Sequence, residues 1–371
     1  MTRMDRQFLW YLPNMIERGH RGDDTVDGWG SLDYSVELAR AAERHGWAGA
    51  LIGTGWGRPD SFVLATAIAA RSTSFVPLVA ARPGYWQPAQ FATAAATLSR
   101  LTGGRVWVNV VTGRDSLAAY GDGEADYDRR YDRTGEFLRL VRRLWTEEDV
   151  TFTGDFFQVE HSTVVPRPAG GQVPRLYFGG ASAAAEKVSA TQADVQLFWG
   201  EPLEGIDARI ARLRQLSGQL GRELPPLEFG LRVTVVVRDS SQDAWRAAEE
   251  RVAQMAADPK IGIDGHRGSV GQDRLLALAE RGEVLDSCLY TAPGHYGGGG
   301  AGSTWLVGSY TEVAAALERY ADLGITHFVL SDTPYLREVA RIGDNLLPLL
   351  REPLSRGPRH PRMSHRNAID L

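Results

Sequence analysis

With 371 residues, 43% of them hydrophobic, the chain can bury one large core or two ordinary ones. A formal net charge of -5 and the lack of a basic stripe argue against a nucleic-acid binder, although the tail from Arg351 to His365 is locally basic. The lone cysteine, Cys288, excludes an intrachain disulfide and a multi-cysteine zinc site; with no HExxH or CxxC and scattered histidines, no metal is expected. No apolar run is long enough to span a membrane, and the start MTRMDRQFLW lacks a secretory core, so a cytoplasmic protein is expected.

In chain order, Gln7–Leu12 (QFLWYL) reads as a strand. Ser31–His45 follows with apolar residues at helical spacing and Gly46 as its stop. Ala48–Ile52 is the next strand, leading through a glycine-rich turn to a helix over Ser61–Ala70. Phe75–Ala80 with Pro88–Arg100, then Val106–Val110 with Arg129–Trp145, repeat the unit. Residues 150–174 interrupt the rhythm and read as a small hairpin or irregular excursion. Arg175–Phe178 and Val195–Trp199 are each followed by a turn and a helix, and Leu227–Val235 leads into a helix over Ser241–Ala256. The last unit inverts the order, with a helix at Thr311–Leu323, a strand at Ile325–Leu330 and a closing helix over Glu338–Leu350.

Eight core strands alternating with helices at βαβ spacing imply an α/β fold, a TIM-like (β/α)8 barrel with insertions near 150–174 and 257–309. An open doubly wound sheet is the competitor, but no GxGxxG follows the first strand. Residues 1–350 then form a single catalytic domain, and 351–371 a tail that reads as a solvated terminus or a partner arm. Within 257–309, four consecutive glycines, Gly297–Gly300, precede Ala301 and Gly302; the stretch reads as a loop closing over a ligand or as a plain connector.

In such a barrel, chemistry sits where strands pass into their following helices. Gly179, Gly180, Ala181 and Ser182 join a strand to a helix start, where free amides and the Ser182 hydroxyl suit a phosphate; a plain N-cap is the alternative for Ser182. Tyr131 can add a hydroxyl or simply pack. Asn109 and Thr112 sit at the mouth after the fourth strand, placed to hydrogen-bond a planar polar ring, with Asn109 capping its own turn as the alternative. Arg232 and Thr234 share one face of the seventh strand, and an arginine among apolar strand residues needs an anionic or polar partner. Arg58, Arg82 and Arg114 occupy other junctions, favouring an anionic ligand or answering nearby aspartates. No GxSxG, catalytic triad or glycosidase carboxylate pair can be picked out.

The segments QFLWYLP, AAERHGWAGALIGTG, ATLSRLTGGRVWVNVVTG, RYDRTGEF, PRLYFGGAS, FWGEP, FGLRVTVVVRD, DAWRAAEE, GGAGSTWLVG and GITHFVLSDTPYL, in this order and spacing, resemble the bacterial-luciferase-like superfamily. Within it they are nearest the alkanesulfonate monooxygenase branch, over about residues 7–350. The resemblance implies a two-component flavoprotein: a separate NAD(P)H-dependent flavin reductase supplies FMNH2, and O2 serves as co-substrate through a flavin C4a-(hydro)peroxide. It also implies a homo-oligomer and a small-molecule substrate, here a small organosulfur compound such as an alkanesulfonate. Phosphate contacts then fall to Tyr131 and the Gly180–Ser182 turn, the isoalloxazine side to Asn109, and active-site organisation to Arg232.

Several positions depart from the sulfonate enzymes. Arg58 stands where they carry a cysteine, Thr234 where they carry a histidine, and Gly298 where they carry an arginine before the glycine loop. Their tyrosine after the eighth strand falls at Thr333, with Tyr335 close enough to substitute. Arg58 restoring positive charge and Tyr335 replacing the tyrosine are accordingly expected, with Thr234 and Arg232, as the catalytic set. An amine, ketone, aromatic or natural-product substrate, an F420-dependent hydride transfer, and a non-catalytic flavin-binding relative are the alternatives.

Overall fold

The computed structural model describes residues 6–15, 26–112, 117–123, 126–257, 270–296 and 303–351. Arg114, the glycine run 297–302 with Gly298, and the tail 352–371 lie outside the described residues.

The strands are β1 (Gln7–Leu12), β2 (Gly49–Ile52), β3 (Val76–Ala81), β4 (Trp107–Val110), β5 (Val150–Thr153), β6 (Gln158–Ser162), β7 (Arg175–Phe178), β8 (Val195–Trp199) and β9 (Glu228–Arg238), then β10 (Val284–Leu285), β11 (Leu289–Tyr290), β12 (Trp305–Ser309) and β13 (Ile325–Ser331). Eight of them, β1, β2, β3, β4, β7, β8, β9 and β13, pair in parallel and in that order. The β13–β1 pairing, with Phe8 opposite Phe328, closes the ring. These are the eight strands expected from the apolar runs. Each is short and buried on both faces, as a parallel strand covered by helices must be.

The helices are α1 (Leu32–Arg44), α2 (Ser61–Ala69), α3 (Pro88–Thr102), α4 (Tyr127–Thr146), α5 (Ala183–Gln192), α6 (Leu203–Gln219), α7 (Ser241–Ala257), α8 (Val270–Arg281), α9 (Tyr310–Asp322), α10 (Tyr335–Asn345) and α11 (Leu347–Arg351). Their ends follow local chemistry. Ser31 caps α1 through Tyr34 N, Asp60 caps α2 through Val63 N, and Ser309 with Glu312 forms a reciprocal capping box on α9. α3 stops at Gly103, whose φ of 65° lies in the left-handed region that glycine tolerates. α1 buries Tyr34, Val36, Leu38, Ala39 and Ala42, each fully buried leucine or valine contributing about 1.5–3 kcal/mol.

The excursion at 150–174 contains the antiparallel hairpin β5–β6. Its turn is held by Glu136 of α4, whose carboxylate accepts the backbone N–H groups of Asp155, Phe156 and Phe157 at 2.9, 2.9 and 2.7 Å.

Two expectations need correction near the C-terminus. The helix at 310–322 is preceded by a further strand, β12, parallel to β9 over Thr234–Arg238. It takes up β9 just beyond Arg232, the last residue β8 reaches, and the Thr304 hydroxyl donates to Gly200 O at 2.7 Å to fix the handover. The closing helix is two helices, α10 and α11, because Pro348 has no N–H with which to continue the ladder from α10.

Candidate functional site

The C-terminal ends of β4, β7 and β8 and the middle of β9 border a cavity of about 350 Å³. Asn109, Tyr131, Gly179, Gly180, Ala181, Ser182 and Arg232 all line it. Thus seven of the residues singled out from the sequence, spread over more than a hundred positions, converge on one space.

One wall is the turn between β7 and α5. Ser182 is the N-cap of α5, its Oγ accepting from Ala185 N at 3.2 Å, while its own hydroxyl proton is left to donate. Capping and ligand contact are therefore compatible at this residue. Gly180 has no room for a side chain, since a Cβ there would lie 2.5 Å from the Ala185 Cβ. Its carbonyl accepts from Arg209 Nη2 at 2.8 Å, so the turn is held from behind by a buried cation. Tyr131 reaches the cavity from α4 and meets Phe178 edge-on at 6.3 Å.

Arg209 is part of a network that sequence reading missed. It lies on the buried face of α6 with Ile206, Ile210 and Leu213, so the signal was a charge at an apolar helical position. Its guanidinium bonds Glu201 at 2.7 Å and Glu186 at 3.3 Å, and its carbon lies 4.7 Å from the Phe198 ring centroid. Glu201 also pairs with Arg274 of α8, and Glu186 with Arg212 at 2.6 Å. Burial lowers the Arg209 pKa, with Glu201 opposing. The Arg212 hydrogen bond and the Arg209 charge hold Glu186 ionised against burial, which acts to raise it.

The opposite wall carries Arg232. It is buried, its guanidinium carbon lies 4.5 Å from the Tyr11 ring centroid, and its Nη1 has no hydrogen-bond partner. Burial lowers its pKa, opposed by the Tyr11 and Tyr335 hydroxyls. Among the described residues no carboxylate pairs with it. Asn109 Oδ1 is likewise buried without a partner. Arg82, Arg209, Arg232 and Arg274 line the cavity against one lining carboxylate, Glu201, so its potential favours an anion.

The other candidates sit elsewhere. Thr112 does not line the cavity; its hydroxyl lies 2.9 Å from that of Thr134, which donates to Arg130 O, tying the β4 exit to α4. Thr234 is fully buried beside Ser331, its strand partner, and neither hydroxyl has a partner. Tyr335 is fully buried against Tyr11 at 5.8 Å and Trp29 at 6.5 Å. Arg58 lines a separate cavity on the rim.

Residues 7–327 match the family described as luciferase-like monooxygenase. The chain belongs to the bacterial-luciferase-like flavin monooxygenase superfamily. Solved structures of similar fold are consistent in shape. A riboflavin lyase, RcaE, with modified FMN and riboflavin is 19% identical, with 93% of this chain and 91% of that one covered and a TM-score of 0.74. DmoA from Hyphomicrobium sulfonivorans is 20% identical, with 93% and 88% covered and a TM-score of 0.74. The EDTA monooxygenase EmoA from Chelativorans sp. BNC1 is 18% identical, with 93% of each chain covered and a TM-score of 0.74. An F420-dependent secondary alcohol dehydrogenase has the same fold at a TM-score of 0.67, with 17% identity and 94% and 99% covered. Fold likeness alone thus spans more than one chemistry within the superfamily.

Proposed function

We propose that this protein is a reduced-flavin-dependent monooxygenase that takes FMNH2 from a separate NAD(P)H-dependent reductase and uses O2 to oxidise a small anionic organic compound. Organosulfur compounds such as sulfonates are the first class to test. One observation carries the reading: a glycine-containing turn at a helix N-terminus and a buried arginine with an unpartnered Nη1 line a single cavity.

The residues present fit a flavin mononucleotide. The first amides of α5 have no intrahelical partners, so the Gly179–Ser182 turn would hold the phosphate with the Tyr131 hydroxyl. Asn109 Oδ1 and Arg232 Nη1 would complete their hydrogen bonding on the polar edge of the ring. When bound, reduced flavin supplies the electrons that activate O2 for transfer of one oxygen atom to substrate.

The chain's own residues do the rest. The apolar lining from Leu51, Val111 and Leu197 excludes water from the cavity. Arg232, already desolvated, offers a fixed positive charge to an anionic oxygen without solvent reorganisation. Thr234 Oγ, buried with no partner two residues beyond Arg232 and outside the cavity lining, is a weaker and uncharged replacement for an acid–base group.

Anaerobic titration with FMNH2 in parallel with reduced F420, followed by turnover under 18O2, tests the proposal. Micromolar FMNH2 binding and one labelled oxygen atom in product are expected. Preference for F420, or product without label, would overturn it.

A further inference from the structure

A second cavity of about 770 Å³ opens on the rim of the barrel mouth, between α2, α3 and the segment after β6, and shares no lining residue with the central one. It abuts the central cavity at two places. The guanidinium carbon of Arg82, which lines the central cavity, lies 5.9 Å from the ring centroid of Tyr85, which lines the rim cleft. Arg58 Nη1, on the rim side, and the Tyr11 hydroxyl lie 3.3 and 3.4 Å from the point where a Cβ on Gly53 would stand. Tyr11 in turn carries Arg232 over its ring. Gly53 thus leaves open the one spot where the rim arginine approaches the inner site.

The lining is aromatic and carries one arginine, Arg58, and one carboxylate, Asp60. Tyr85 stacks on Tyr120 with centroids 3.7 Å apart, and the half-exposed Trp56 meets Tyr120 edge-on at 4.8 Å. Trp86, also on the lining, meets Phe62 edge-on at 5.5 Å. Arg58 has no described ion-pair or side-chain hydrogen-bond partner, and the acid nearest in sequence, Asp60, is committed to the N-cap of α2 at 2.8 Å. The cleft therefore joins flat π surfaces to a guanidinium with no described ion-pair partner, the Asp60 carboxylate lying on the same lining.

We propose that the rim cleft binds an aromatic anion, its ring against the tyrosine and tryptophan rings and its acidic substituent on Arg58, and that this is the site selecting the substrate. Rings gain from offset or edge contacts that an alkyl chain cannot make, and a planar guanidinium matches a sulfonate or carboxylate bidentately. A neutral ring forfeits the ion pair, and an aliphatic anion the stacking. The assignment as substrate site rests on the monooxygenase reading above; the binding itself does not.

Flavin-free full-length protein titrated calorimetrically with benzenesulfonate, ethanesulfonate and benzyl alcohol tests it. Benzenesulfonate is expected to bind at least tenfold more tightly than either of the others. Arg58→Gln should remove that advantage, and Gln90→Trp, an exposed α3 position on the cleft, should block it by filling the space while leaving the melting temperature unchanged. Equal affinity for benzenesulfonate and ethanesulfonate, or binding indifferent to both substitutions, would overturn the proposal. A separate FMN titration of the wild-type protein keeps the two readings apart: failure there removes the monooxygenase reading while the calorimetry still decides the cleft. If both hold, Arg58→Gln should raise KM for an arylsulfonate at least tenfold, and an unchanged KM would refute the substrate role.

Discussion

The guanidinium carbon of Arg232 lies 4.5 Å from the centroid of the Tyr11 ring, so a buried cation at the barrel mouth rests on an aromatic face instead of a carboxylate. A cation–π contact returns about 2 kcal/mol when desolvated, less than the several kcal/mol that burying the charge costs.

Arg232→Met should therefore separate stability from activity. Removing an unpaired buried charge and replacing it with an apolar chain of similar length is expected to keep or raise the melting temperature. Loss of the fixed charge should lower kcat/KM by about 100-fold or more. A melting temperature that falls together with activity would mean that Arg232 is structural.

Two ligands can resolve whether Ser182 does more than cap α5. Ser182→Ala should cost about 1 kcal/mol of stability through the lost cap on α5. If the hydroxyl also holds phosphate, FMN affinity should fall about tenfold while riboflavin, which lacks the phosphate, binds as before. Equal losses for both would leave only the cap.

Gly179 and Gly180 should respond differently to alanine. At Gly180 the new methyl would lie 2.5 Å from the Ala185 Cβ, whereas at Gly179 the nearest atom outside its neighbours is Leu197 O at 3.7 Å. Gly180→Ala is expected to destabilise by about 1–3 kcal/mol and to weaken FMN binding. Gly179→Ala should change the melting temperature little, and comparable losses at the two sites would refute the steric account.

At the closed end of the barrel, His327 is buried between the Tyr177 hydroxyl on Nδ1 at 2.8 Å and Glu228 on Nε2 at 2.7 Å. Burial lowers its pKa below 6.5 despite Glu228, and burial raises that of Tyr177, so the phenol donates to Nδ1 and the neutral ring donates to Glu228. The unfolded histidine then takes up a proton before the folded one. Stability is full above pH 6.5 and lost as pH falls from there through the folded-state pKa. Thermal melts from pH 7.5 to pH 5 should show this loss, and His327→Gln should flatten it within that window. An identical slope in the variant would assign the loss to other groups.

Much of this architecture was legible because parallel barrel strands are short apolar runs set between amphipathic helices. Val106–Val110 and Val195–Trp199 need no partner in the sequence to be read as buried strands. β12 was not legible, since Trp305–Ser309 closely follows a glycine run and pairs with just the upper part of β9 and the two-residue β11. The junction rule found Asn109, Gly180, Ser182 and Arg232, because strand ends in a barrel share one rim. It did not find Arg209, which reaches the site from the middle of α6.

What the sequence determined by itself is local: periodicity, caps, turns and the identities of residues at the strand ends. Tertiary structure decided how those residues are grouped, because barrel closure sets which strand ends face the same space. It placed Thr112 against Thr134, behind the cavity it was expected to line. It placed Arg58 on the rim, beside aromatic rings from two other loops, and Arg232 inside, over Tyr11. Neither position is written in spacing, since each depends on contacts between residues far apart in the chain.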